Sequence, residues 1–68
     1  MENSDCFVVK KGRLFLMGTE EMDGKKHPVW SQYKYDAWMT MNIFAARRIA
    51  RILGGNVFVF NPITGDVG

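Results

Sequence analysis

Residues 45–53 read Ala-Ala-Arg-Arg-Ile-Ala-Arg-Ile-Leu, and Gly54 and Gly55 follow at once. On a helical wheel Arg47, Arg48 and Arg51 share one arc, while Ala45, Ala46, Ile49, Ile52 and Leu53 take the other. Such a helix needs a surface for its apolar arc. A glycine after its last turn adopts the left-handed conformation that ends it. Thr40 is the expected N-cap. Met39 before it and Phe44 at the fourth helical position then have the spacing of a hydrophobic staple. Beyond the glycines, Asn56, Val57, Phe58, Val59 and Phe60 form a run that is apolar on both faces of a strand. Such a strand is either covered on two sides or keeps one apolar face exposed, and the helix before it should pack on the sheet.

The rest of that sheet is expected upstream. Residues 6–10 and 13–17 are short runs of β-branched and aromatic residues, with Lys11 and Gly12 between them as a two-residue turn. Gly12 supplies the positive φ. In that register Lys10 faces Arg13, Val9 faces Leu14, Val8 faces Phe15, Phe7 faces Leu16 and Cys6 faces Met17. Alternation then places Phe7, Val9, Leu14 and Leu16 on the core face. Cys6, Val8, Lys10, Arg13, Phe15 and Met17 occupy the other. Residues 19–26 are polar and read as an exposed loop. His27 precedes Pro28 and should be extended, and residues 29–31 suit a brief extra strand. Residues 1–5 and 63–68 read as frayed tails.

A right-handed helical crossover would lay the last strand beside the first. The expectation is an α+β domain of ββαβ type. Its three-stranded antiparallel sheet has order 2-1-3, with one amphipathic helix on one face.

At 68 residues the chain is one domain. A domain of this size buries roughly 60% of its unfolded surface, and its core supplies roughly 3–5 kcal/mol. With 47% hydrophobic and 13% aromatic residues, surplus apolar surface is expected to meet another copy or a partner surface. The net charge of +2 is low for a dedicated nucleic-acid binder. Cys6 is the sole cysteine, which excludes an intramolecular disulfide and fits a reducing cytoplasm. The polar, acidic start does not resemble a signal peptide. No apolar run approaches the roughly 20 residues of a membrane span. The expected location is cytoplasmic, away from membranes.

Candidate chemistry is sparse. His27, the only histidine, lacks companions for a metal site or an oriented base and reads as a loop residue. Cys6 starts a strand without an activating neighbour in sequence. Glu20, Glu21 and Asp23 lack the remainder of a calcium loop. Gly54 and Gly55 follow a helix, whereas phosphate loops precede one. No catalytic residue, metal or cofactor is expected.

Arg47, Arg48 and Arg51 suit phosphates, carboxylates or nucleotides, and equally form the polar face of an ordinary helix. Phe44 is either a staple or an exposed interface residue beside the arginines. Trp30, Tyr33, Tyr35 and Trp38, with Lys25, Lys26 and Lys34 nearby, either stack on bases or fold over the open sheet face.

Taken together, several segments carry a resemblance. They are Phe-Val-Val-Lys-Lys-Gly-Arg-Leu-Phe-Leu at 7–16, Trp30 with Ser31, and Asp36-Ala37-Trp38. Ala46-Arg47-Arg48-Ile49-Ala50, Gly54-Gly55 and Phe60-Asn61-Pro62 complete it. The pattern, from about Cys6 to Asp66, resembles small ββαβ proteins encoded by bacterial phages and prophages. That resemblance implies a protein that acts by binding, for example on a host enzyme, a defence system or a signalling nucleotide. It carries no catalytic residues.

The expected function is a non-enzymatic, protein-binding or self-associating module. Its interface would be the second sheet face, with Val8, Phe15 and Met17 at the centre and Lys10 and Arg13 at the rim. The alternative is nucleic-acid or nucleotide binding through Arg47, Arg48 and Arg51 with Trp30 and Tyr33.

Overall fold

Residues 5–68 are described in a computed structural model, so the fraying expected of residues 1–4 lies outside the described residues. The chain forms β1 (Cys6–Lys11), β2 (Leu14–Met22), β3 (Lys25–Ser31), a 3₁₀ turn at Lys34–Asp36, β4 (Met39–Thr40), α1 (Ile43–Leu53) and β5 (Asn56–Phe60). It is an α+β fold with an antiparallel sheet and one helix. The sheet has five strands where three were expected.

The first hairpin turns at Gly12 and Arg13, one residue later than expected. Lys11 pairs with Leu14, and Lys10 pairs with Phe15 rather than Arg13. Gly12 has φ +63° and Arg13 does not share the positive φ, which is the signature of a two-residue turn with glycine first. The slip moves each partner by two residues, so the alternation of faces is unchanged.

Residues 19–26, expected as a loop, belong instead to a second hairpin. Asp23 (φ +54°) and Gly24 (φ +75°) occupy its turn, as a type I′ turn requires. Glu20 stands opposite His27, Glu21 opposite Lys26 and Met22 opposite Lys25, so one pair of unlike charges, Glu21 and Lys26, faces across the ladder. All residues from 19 to 27 are exposed. This arm accounts for the elongated outline of 45 × 23 × 16 Å. Pro28 sits on the edge strand β3, where its missing N–H breaks no central ladder. A register shift between Leu16 and Gly18 makes Met17 a bulge that bends β2 away from β1.

That bend opens a fork, and β4 fills it. Phe7 pairs with Thr40 and Val8 with Met39, while the Trp38 N–H donates to the Leu16 carbonyl at 2.8 Å. β5 runs along the opposite edge of β1, from Cys6 opposite Phe60 to Lys10 opposite Asn56. β1 is therefore the central strand.

Both faces of the sheet are covered. On one side Val9, Leu16 and Ala50 form a core flanked by Trp30, Trp38, Ile49, Leu53 and Val57. On the other, Val8, Phe15, Ala37 and Phe60 pack with Met39, Phe58 and Val67. Residues 61–68 close this second core, so the expected fraying of 63–68 is corrected. Val59 and Gly68 exchange backbone hydrogen bonds, each 2.8 Å. Asn61 Oδ1 accepts from the Ile63 and Thr64 N–H groups at 2.9 and 3.3 Å. Lys34 Nζ donates to the Gly65 carbonyl at 2.6 Å.

α1 is capped by Asn42, not Thr40. Asn42 Oδ1 accepts from Phe44 N at 2.9 Å and Ala45 N at 3.3 Å, satisfying two otherwise unpaired donors. Thr40 lies in β4, and its hydroxyl accepts from Asn42 N at 3.1 Å. The expected staple is therefore absent: Phe44 is two residues past the cap, and it is 75% exposed. Ala46 and Ala50 are the helix residues buried on the sheet. Ile52, expected to face it, is 68% exposed, because two residues beyond Ala50 is 200° around the helix. Gly54 (φ +84°) ends the helix, its N–H donating to the Ala50 carbonyl. A Cβ on Gly55 would lie 2.9 Å from the Lys10 carbonyl oxygen, so the chain passes β1 only as glycine.

Candidate functional site

The sheet face expected to bind a partner is occupied by the chain itself. Val8 and Phe15 are 0% and 7% exposed, so they cannot form the centre of a free interface. Lys10, half-buried, places its ammonium 5.0 Å from the Phe15 ring centre and 5.1 Å from that of Phe58, a cation–π arrangement that seals the face. Of the five expected interface residues, only Arg13 and Met17 are exposed.

The expected nucleotide site is also divided. Arg47, Arg48 and Arg51 are exposed on α1. Trp30 instead packs into the core beneath the helix. Tyr33 is exposed on the segment leading into the 3₁₀ turn. Tyr35 belongs to the other side of the sheet, its ring edge-on to Phe60 at 6.3 Å between centroids. Of the four aromatic residues, Trp38 is the one that joins an arginine, because β4 threads the fork and delivers it under α1.

The surface that does assemble lies along α1. Phe44, Arg48 and Ile52 are spaced four residues apart, so they align as a ridge about 12 Å long at 1.5 Å per residue. All three are exposed. Beside the ridge lies a depression of about 370 Å³ lined by Trp38, Asn42, Phe44, Ala45, Arg48 and Ile49. A second, of about 220 Å³, is lined by Leu16, Gly18, Thr19, Trp38, Ile49 and Leu53. They share Trp38 and Ile49, and so form one groove between the helix and the root of the arm. The i, i+4, i+8 spacing was visible in the sequence. The groove was not, because Trp38 and Gly18 reach it from remote segments.

Arg48 is the charged residue among those lining the two depressions. From Ala37 to Gly65 the chain contains no aspartate or glutamate, and α1 contributes three arginines. The arrangement can desolvate apolar groups in the groove and receive anions at its rim.

The remaining candidates are scattered. Cys6 is half-buried in β1, and His27 is exposed on β3. Glu20, Glu21 and Asp23 are spread along the arm. Among the described residues no group of three His, Cys, Asp or Glu side chains converges as a metal site. No helix among them is long and apolar enough to cross a membrane. Comparison with protein-family models, curated proteins and solved structures finds no match.

Proposed function

We propose that the chain is a non-enzymatic protein-binding module that docks through the outer face of α1 and the adjoining groove. The observation that carries this reading is Phe44, 75% exposed. A phenylalanine held in water, with no staple to explain it, stands beside an arginine and above a floor of tryptophan and isoleucine. Aromatic and arginine residues over an apolar pocket are the usual composition of interface hot spots. Arg47 and Arg51 are exposed on the outer face of the same helix. This keeps the binding role read from the sequence and moves it from the sheet to the helix. A phage-type modulator of a host protein is the setting that the sequence resemblance implies for it.

Affinity capture from a bacterial lysate with the wild-type chain and with the double variant Phe44→Asp, Ile52→Asp tests this reading. Both positions are exposed, so the variant should keep its circular dichroism spectrum. The expected result is a set of proteins retained by the wild type and lost by the variant. Identical retention by both would overturn docking through α1.

A further inference from the structure

We infer that the groove beside α1 is a binding site for a small amphipathic acid, with its carboxylate at Arg48 and its aliphatic tail running toward Leu53. This goes beyond the docking reading above and does not rest on it. Docking is tested at Phe44 and Ile52, and ligand binding is tested at Arg48.

Size admits a small molecule. The two depressions, about 370 and 220 Å³, share Trp38 and Ile49. Joined as one groove, they lie within the roughly 300–1,000 Å³ of small-molecule sites. The groove follows α1 from Asn42 to Leu53, about 16 Å at roughly 1.5 Å per residue. That outline suits an extended chain better than a compact ring system.

The lining is charged at one end only. The depression near the helix start carries Asn42 and Arg48, whereas the one near Leu53 has no charged side chain. The Arg48 guanidinium is exposed, and such a fork matches a carboxylate with two parallel hydrogen bonds. Asn42 Oδ1 already accepts from the Phe44 and Ala45 N–H groups, which leaves its amide nitrogen as a second donor. Trp38, Ile49 and Leu53 are half-buried, so the floor still shows apolar surface to water. A tail laid along it would remove that surface from water. One cation at one end of an apolar trough matches one anion at one end of an apolar chain.

Other occupants use less of the site. β4, α1 and β5 contain no aspartate or glutamate, so these elements supply Arg48 with no counter-charge. The α1 of a second copy is equally cationic and supplies none either. A nucleic acid would engage Arg48 and leave Leu53 and Ile49 uncovered.

The test is proton–nitrogen correlation NMR of the full chain, titrated with decanoate, octanoate, decanol and decyltrimethylammonium, each below the concentration at which it aggregates. Decanoate should shift the Trp38 indole N–H and the backbone amides of Gly18, Ile49 and Leu53 along one saturable curve. Phe60 and Val67, in the core on the other side of the sheet, should not move. Octanoate is two CH₂ groups shorter and should bind about threefold to tenfold more weakly. Decanol lacks the charge and should bind about threefold to fivefold more weakly, the worth of an exposed ion pair. Decyltrimethylammonium should bind more weakly still. Arg48→Gln should bring decanoate down to the level of decanol. Arg51→Gln, outside the groove, should keep the preference for the acid. Both positions are exposed on α1, so both variants should fold, and the spectrum itself reports whether they do. Equal binding of decanoate and decyltrimethylammonium, shifts that do not saturate, or shifts centred away from Trp38 would overturn the inference. Equal loss of the acid preference in the two variants would overturn it as well.

Discussion

Asn42 decides where α1 begins, and with it what Phe44 can do. Had Thr40 been the cap, Phe44 would have packed back on Met39. Asparagine and threonine are both good caps, and the expected and observed starts lie about half a turn apart. Met39 and Thr40 pair with β1, the Thr40 hydroxyl accepts from Asn42 N, and it is the Asn42 side chain that reaches the first helical N–H groups. Asn42→Ala is therefore expected to cost about 1 kcal/mol, within the roughly 0.5–2 kcal/mol range of cap losses. Thr40→Ala should cost less, as its side chain accepts only the exposed Asn42 N–H bond. Urea denaturation of the two variants checks the order. A larger loss at Thr40 would place the helix start there. The same residue-scale logic holds for Ile52. Its hydrophobicity suggested burial, but the contact axis runs through Ala46 and Ala50, whose small side chains let the helix lie close to β1 and β5.

Among the elements, the arm formed by β2 and β3 was the least legible. Asp23-Gly24 is a strong hairpin signal, yet its flanks are Glu20, Glu21, Lys25 and Lys26 rather than alternating apolar residues. Strand propensity in such a segment depends on cross-strand neighbours more than on the residues alone. With all of 19–27 exposed, the tip draws little support from the core and should open locally. Replacing Asp23 and Gly24 by alanine requires two residues without the φ preference of the turn. Backbone amides of 19–27 should then exchange faster by an order of magnitude or more, since strain of about 1–2 kcal/mol per residue in the left-handed region is added at two positions. Protection at Val8, Val9 and Phe58 should be unchanged. Hydrogen exchange read residue by residue distinguishes this from global unfolding, in which all would accelerate together. α1 and β5 were legible for the opposite reason: helical periodicity, a double-glycine stop and a valine–phenylalanine alternation are local signals.

For the whole molecule, the decisive feature is that a chain this short covers both faces of its sheet. The helix covers one, and residues 61–68 with Ala37 and Lys10 cover the other. Phe60, 1% exposed, anchors the second core, and its backbone bridges to Val67. Phe60→Ala should cost about 3–5 kcal/mol, comparable to the roughly 3–5 kcal/mol that one small core supplies. The variant is expected to be largely unfolded at 25 °C, whereas Phe44→Ala should retain wild-type stability. Circular dichroism of both variants provides the check, and a folded Phe60→Ala would show the second core to be dispensable. Patterns only a few residues long encode the α+β class, the alternation of β1 and β2, the helix with its glycine stop, and the place of β5 beside β1. Tertiary structure decided which apolar face remained open. The bulge at Met17, the fork filled by β4 and the return of the tail bring together residues far apart in sequence. Whether Phe15 or Phe44 meets water depends on that closure, and no local periodicity encodes it.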